Sequence, residues 1–199
     1  MQKIGIIGVH GSGKTSLAYL LSAHFKMQGM NVKLIHESVR ENCPFPINSK
    51  ASQDTCLWNF HKQFLNELDA KAQGYQLAIC DRSVLDTFVY FHAVNKKRAI
   101  TESAMLQASQ WLVTYDVLVC LEPSESTGIC DDGIRETDID YQCLIRDGFR
   151  GALAKYKFPI EKNTFFISSD EVFDKDECGR IIERIESKLF QTNPVTALV

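Results

Sequence analysis

The chain predicts an α/β fold built on a parallel sheet with helices on both faces, and three observations predict it. Apolar runs of strand length alternate with helical patterns throughout the 199 residues, the sequence form of repeated strand–helix–strand units. The first of these runs leads into a glycine-rich loop that opens a helix. Two later runs end in His36-Glu37 and Cys80-Asp81, which puts carboxylates at the edge where ligands bind in an open α/β sheet.

Taken in order, strands are expected at 2–8, 31–36, 76–81, 116–121 and 164–168, each carried by a short apolar run such as Leu77, Ala78, Ile79 and Cys80. Helices are expected at about 14–28, 50–73, 83–94, 101–114, 137–156 and 174–190. In the second helix Leu57, Phe60, Phe64, Leu68 and Ala72 recur at helical spacing and predict its buried stripe. Ser83-x-x-Asp86 and Thr137-x-x-Asp140 read as capping boxes at helix starts. Two stretches break the alternation. Residues 42–48 carry Pro44 and Pro46 and predict a stiff extended loop that lines an acceptor pocket. Residues 122–136 are polar, contain Gly128 and Gly133, and predict a lid, extending to about 150 with the following helix. No internal repeat or low-complexity segment is present, so residues 1–190 read as one domain and 191–199 as a frayed tail.

Composition narrows the function classes. A net charge of −3 and a pI near 6 argue against a general nucleic-acid or membrane-surface binder. No apolar run is long enough to span a bilayer, and no secretory leader pattern precedes the first strand. The seven cysteines include no C-x-x-C pair, and Cys80 and Cys120 sit in apolar strand-like runs as small hydrophobes. Reduced thiols and a cytoplasmic location are the expectation.

The chemistry begins at Gly8-Val9-His10-Gly11-Ser12-Gly13-Lys14-Thr15, which fits G-x-x-x-x-G-K-[ST] between a strand and a helix, the context that makes it a P-loop. Glycines let the backbone curl so that successive N–H groups form an anion nest at a helix N-terminus. Gly8, His10, Gly11, Ser12, Gly13, Lys14, Thr15 and Ser16 are therefore the expected nucleotide-binding residues. Lys14 is expected on the β/γ-phosphates, and Thr15 on Mg²⁺. Asp81, at the end of an apolar strand, is the expected second metal ligand. Arg82 follows it and presents a guanidinium fork suited to a phosphoryl group.

Glu37 ends the second strand, where a carboxylate can accept a hydroxyl proton or bind a sugar, and Arg40 lies one turn on. Glu37 and Asp81 both remain candidates for the base, and an ordinary charged helix start is the alternative for Glu37 and Arg40. In the lid, Asp131-Asp132-Gly133-Ile134-Arg135 offers Arg135 as an arginine that closes over the transferring group. Arg146 and Arg150 read as exposed arginines that pair with Asp147 and its neighbours. Trp58 and Gln63 are candidates to stack on and read a heterocycle, with the core as the alternative for Trp58. Asn95-Lys96-Lys97-Arg98 lacks the aspartate of an N-K-x-D guanine reader.

The P-loop, Glu37-x-x-Arg40-Glu41, Cys43-Pro44-Phe45-Pro46-Ile47-Asn48, Asp81-Arg82-Ser83 and Asp132-Gly133-x-Arg135 occur in that order over residues 1–156. This arrangement resembles the small P-loop kinases of the thymidylate and deoxynucleoside kinase group. It resembles still more the ribosylnicotinamide-kinase-like ATPase domain of bifunctional NAD-biosynthesis regulators. Residues 122–130 lack the tryptophan that precedes Asp-Gly-x-Arg in the ribosylnicotinamide kinases. The resemblance implies a P-loop NTPase fold with a five-stranded parallel sheet and a small lid. It implies ATP and Mg²⁺ as donor and cofactor, and a nucleoside-like or nucleotide-like acceptor, nicotinamide riboside among the candidates. It assigns Asp81 and Arg82 to the catalytic Asp/Glu-Arg-Ser/Tyr motif and Arg135 to the lid arginine. The rival expectation is a nucleotide-dependent switch or ATPase that makes no phosphorylated small molecule. Oligomeric state is left open.

Overall fold

Strand β1 (Gln2–Gly8) is buried at every position, and that burial dictates the rest of the layout. A strand covered on both faces reads as a near-continuous apolar run, as strands in the middle of parallel sheets do. The computed structural model, which describes residues 1–38, 43–47, 50–94, 99–123, 139–155 and 163–192, places β1 at the centre of a five-stranded sheet. The other strands are β2 (Val32–Ile35), β3 (Leu77–Asp81), β4 (Val117–Glu122) and β5 (Thr164–Ser168). Their order is β2-β3-β1-β4-β5, and every pairing is parallel.

Seven helices are seen among the described residues. They are α1 (Lys14–Met27), α2 (Gln53–Ala72), α3 (Val84–Val94), α4 (Ala99–Leu112), α5 (Ile139–Lys155), α6 (Ser169–Phe173) and α7 (Lys175–Thr192). The pleat sorts the strand residues into two cores. Ile4, Ile6, Leu77, Ile79, Val117, Val119 and Leu121 face α1 and α7. Ile7, Ala78, Cys80, Leu118 and Cys120 face α2 to α5. Gly5 is the small partner in this pleat: a methyl group there would lie 2.9 Å from the Tyr115 ring. The five strands and the six longer helices agree with the sequence expectation to within about a turn. The short helix α6 is an addition, started by a capping box in which Ser168 and Glu171 serve each other's backbone.

The expected stripe of α2 is corrected. Phe60 is fully buried and Leu57 and Phe64 pack against the core, but Leu68 is 46% exposed and Ala72 is exposed. The buried face instead carries Asn59, Gln63, Glu67 and Ala70. Glu67 makes this possible because its carboxylate is saturated. It accepts from Lys3 Nζ at 2.7 Å, from Trp111 Nε1 at 2.7 Å, from Gln63 Nε2 at 2.9 Å and from the Tyr115 hydroxyl. A buried carboxylate with that many donors avoids the desolvation cost that makes lone buried charges rare.

The two-proline loop is tied to α2 where it is described. Thr55 Oγ1 donates to the Pro46 carbonyl at 2.8 Å, beside the Ser52 capping box that starts the helix. Arg146 pairs with Asp147 at 3.1 Å as expected, whereas the exposed Arg150 pairs with Glu122 at the end of β4, at 2.6 Å, and not with a neighbour of Asp147. Cys80 and Cys120 are buried in their strands, and the six described cysteines are free thiols. No helix among the described residues is long and apolar enough to cross a membrane. Residues 124–138 of the expected lid, the cap at Thr137 and residues 193–199 of the expected tail lie outside the described residues.

Candidate active site

The site grows from the end of β1. Gly8 has φ 131°, and a methyl group there would sit 2.1 Å from the Leu121 carbonyl oxygen of β4. Only glycine lets the chain leave the sheet at this point. Gly11 and Gly13 also have positive φ, at 77° and 88°, and Gly13 caps α1 with no side-chain hydrogen bond. The helix N-terminus therefore faces the cleft with its own N–H groups, the geometry an anion needs. Inside the loop, Ser12 Oγ donates to the Val9 carbonyl at 2.7 Å.

Lys14 is buried and donates from Nζ to the carbonyls of Gly8 at 3.0 Å and Val9 at 2.5 Å. Burial, reinforced by the Arg82 charge, lowers its pKa to about 8. Thr15 Oγ1 donates to Asp81 Oδ2 at 2.6 Å, joining the first turn of α1 to the end of β3. Asp81 is 3% exposed, and its Oδ1 is buried with no hydrogen-bond partner among the described residues.

Arg82 follows β3 with φ 94°, the one non-glycine residue at positive φ among those described. Its backbone N–H donates to the Ile6 carbonyl at 3.0 Å, which holds the turn against β1. Its guanidinium pairs with Glu37 through Nε at 2.7 Å and lies 3.6 Å from Asp86 Oδ1. Burial opposes that charge, but Glu37, Tyr90 and Asp86 outweigh it and push the pKa above the usual arginine range. Asp86 is itself buried, which raises its pKa to about 6 against the pull of Arg82. It accepts from the Ser83 N–H at 2.8 Å, while Ser83 Oγ accepts from the Leu85 N–H at 3.1 Å, so the expected capping pair at the start of α3 is present.

A cleft of about 120 Å³ is lined by His10, Gly11, Gly13, Lys14, Thr15, Ser16, Glu37, Arg82 and Phe173. The structure thus gathers His10, Gly11, Gly13, Lys14, Thr15 and Ser16 of the expected nucleotide-binding residues, with Glu37 and Arg82, around one volume. Gly8 and Ser12 do not line it, and Asp81 is joined to it through its hydrogen bond with Thr15. Two residues predicted for substrate binding are placed elsewhere. Gln63 is buried, its amide donating to Glu67 and, at 3.5 Å, to the Arg82 carbonyl. Trp58 is half-buried on α2 and does not line the cleft. Arg40 and Arg135 lie outside the described residues.

Phe173, at the end of α6, joins the cleft without belonging to any sequence motif. It is 59% exposed, and its ring atoms lie 3.1 and 3.3 Å from where a Gly13 side chain would start. Its position depends on how β5 returns the chain past the P-loop, which no local pattern reveals. Asp86 and Tyr90 also reach the site from α3. Their i, i+4 spacing from Arg82 and Asp86 was the available signal.

Thr15 and Asp81 fit a divalent cation. A hard cation such as Mg²⁺ is held by one or two oxygen ligands of the protein together with substrate phosphates and water. No group of three or more His, Cys, Asp or Glu among the described residues could cage a metal unaided. The unpartnered Asp81 Oδ1 is the kind of acceptor that such an ion, or its water, satisfies.

In comparison with solved structures, thymidylate kinase from Ehrlichia chaffeensis matches with a TM-score of 0.63 at 20% identity. The match covers 94% of this chain and 98% of that one. The motif resemblance to the thymidylate and deoxynucleoside kinase group therefore holds at the level of the fold. A comparison with curated protein sequences gives no match. Residues 3–163 match the family model described as AAA domain, and the chain belongs to that family.

Proposed function

We propose that this protein is an ATP- and Mg²⁺-dependent phosphotransferase acting on a small nucleoside-like or nucleotide-like acceptor. The observation that carries the reading is the Thr15–Asp81 hydrogen bond beneath the glycine-rich loop, with Arg82 directly after it. A strand-end carboxylate, a P-loop hydroxyl and an arginine within one turn are what phosphoryl transfer asks of a protein. The reaction depends on positioning and charge neutralisation more than on covalent chemistry.

In this reading the N–H groups at the start of α1 and Lys14 bind the triphosphate. Lys14 moves from the Gly8 and Val9 carbonyls to phosphate oxygens, exchanging two neutral acceptors for charged ones. Thr15 and Asp81 hold Mg²⁺, which supplies neutralisation of the phosphate charge. Phe173 offers an apolar ring beside the loop for the purine base to stack on. Arg82 stabilises the migrating group, and Arg135 adds a second positive charge from the lid. Glu37 faces the acceptor and takes the hydroxyl proton, with the Arg82 guanidinium 2.7 Å away to orient it. Arg40 binds the acceptor from the same segment.

The thymidylate kinase fold supports the kinase reading, and nicotinamide riboside remains a candidate acceptor on the motif resemblance. Membership of the AAA-domain family also accommodates a nucleotide-dependent switch. One experiment separates them: ADP release with MgATP alone and with a panel of nucleosides, nucleotides and nicotinamide riboside, beside Lys14→Ala. Acceptor-stimulated release abolished by the mutation is the expected result. Slow release indifferent to every acceptor overturns the kinase reading in favour of the switch.

A further inference from the structure

The ring of Tyr90 stands between two parts of the site that the backbone leaves separate. On one side the Arg82 guanidinium carbon lies 4.9 Å from the Tyr90 ring centre. On the other, the Tyr90 hydroxyl is 3.3 Å from Nδ1 of His10, inside the phosphate loop, with the ring centres 6.1 Å apart. Both neighbours are confined. His10 is 6% exposed, its ring lies 5.8 Å from that of Tyr141, and its carbonyl accepts from Gln142 Nε2 at 3.3 Å. Arg82 is held by its backbone at positive φ and by Glu37. Tyr90 is braced in turn by Tyr141 and Phe149, each with ring centres 6.4 Å away.

We propose that Tyr90 is a positioning residue that couples the phosphate loop, through His10, to the guanidinium of Arg82. The coupling rests on the reading of Arg82 as the residue that meets the migrating group. The ring offers its face to a cation and its hydroxyl to an imidazole, so a displacement on either side is felt on the other. Packed side chains respond in discrete arrangements rather than by continuous deformation, which makes a single ring sufficient as a link. Burial raises the Tyr90 pKa to about 12, so the hydroxyl stays neutral over the working range of pH and the link is not itself a proton switch. His10 then acquires a purpose within the loop: it reports whether the loop is correctly formed around its anion to the arginine that follows β3.

The test is a set of cycles read in two ways. By ¹⁵N NMR of the His10 ring, Arg82→Lys is expected to shift the ring resonances with Tyr90 in place and to leave them unmoved in a Tyr90→Leu background. This arm needs no nucleotide and stands even if the protein proves not to be a kinase. By calorimetry with the Mg²⁺ complex of a β,γ-imido ATP analogue, the affinity losses from His10→Ala and Arg82→Ala are expected to be non-multiplicative by at least about threefold. The non-additivity should vanish when Tyr90 is Leu. Tyr90→Phe serves where Tyr90→Leu unfolds the protein. It keeps the ring face on Arg82 but removes the hydroxyl that His10 and Arg82 both meet, and should change the tautomer signature of His10. A His10 spectrum indifferent to Arg82→Lys with Tyr90 intact, or independent losses from His10→Ala and Arg82→Ala, overturns the coupling. Failure of the analogue to bind at all would instead overturn the nucleotide-site reading, leaving the ring spectrum to decide the link.

Discussion

Thr15 Oγ1 donates to Asp81 Oδ2 at 2.6 Å, across 66 positions of sequence, and so ties the first turn of α1 to the end of β3. The bond depends on parallel pairing of β1 with β3, in which Ile6 stands opposite Asp81. Asp81→Asn keeps the shape but removes the charge that a divalent cation needs. Calorimetry with ATP in excess Mg²⁺ and in chelator should show the Mg²⁺-dependent gain in affinity reduced by about tenfold or more, with metal-free binding little changed. An undiminished Mg²⁺ gain in the variant would remove Asp81 from the metal site.

The pKa of Lys14 gives a pH signature with a definite sign. Its folded value, about 8, lies below the unfolded 10.5, so the buried charged lysine opposes folding. That opposition is complete below about pH 8 and is relieved as pH rises from about 8 to 10.5, a window in which the unfolded chain binds more protons. Phosphate restores the charge. Nucleotide binding at about pH 8.5 is therefore expected to take up a proton, measured as a dependence of the binding enthalpy on the ionisation enthalpy of the buffer. Lys14→Met should abolish both the uptake and this stability slope.

Gly8 tolerates no side chain. With φ 131° and the Leu121 carbonyl oxygen 2.1 Å from where a methyl group would stand, Gly8→Ala must displace β1 from β4. A loss of about 3 kcal/mol or more in urea unfolding is expected. Gly29, which also has positive φ but open space around it, should cost far less when changed to Ala.

The corrected face of α2 is testable by contrast. Glu67→Ala leaves Lys3 buried without its carboxylate and should cost about 3–5 kcal/mol in urea unfolding. Leu68→Ser, on the exposed side, should stay within about 0.5 kcal/mol. Equal costs would return Leu68 to the core.

Most of the architecture was legible because parallel strands buried on both faces must be apolar throughout, and helices packed on them must be periodic. Residues 77–80 illustrate the first rule, and α1, with Leu17, Ala18, Leu21 and Phe25 buried, the second. Periodicity failed on α2, since it counts only apolar residues. A helix that buries Gln63 and Glu67 against Lys3, Trp111 and Tyr115 hides its inner face from any such count. The same burial explains why Gln63, a candidate for reading a heterocycle, is occupied with Glu67 and the Arg82 carbonyl instead.

The order of residues alone was enough for the phosphate loop, since a local turn needs only its own glycines and the helix that follows. It also sufficed for the strand-end acids, which a parallel sheet brings to one edge whatever the details. Folding in three dimensions had to decide the partners. That Arg82 pairs with Glu37, that Tyr90 stands between it and His10, and that Phe173 returns to the loop from the far end of the chain all depend on strand order and helix packing. Apart from Arg82 and Tyr90, which share one stretch of chain, such contacts join segments tens to more than a hundred residues apart, and side chains at that separation carry no mutual signature in a single sequence.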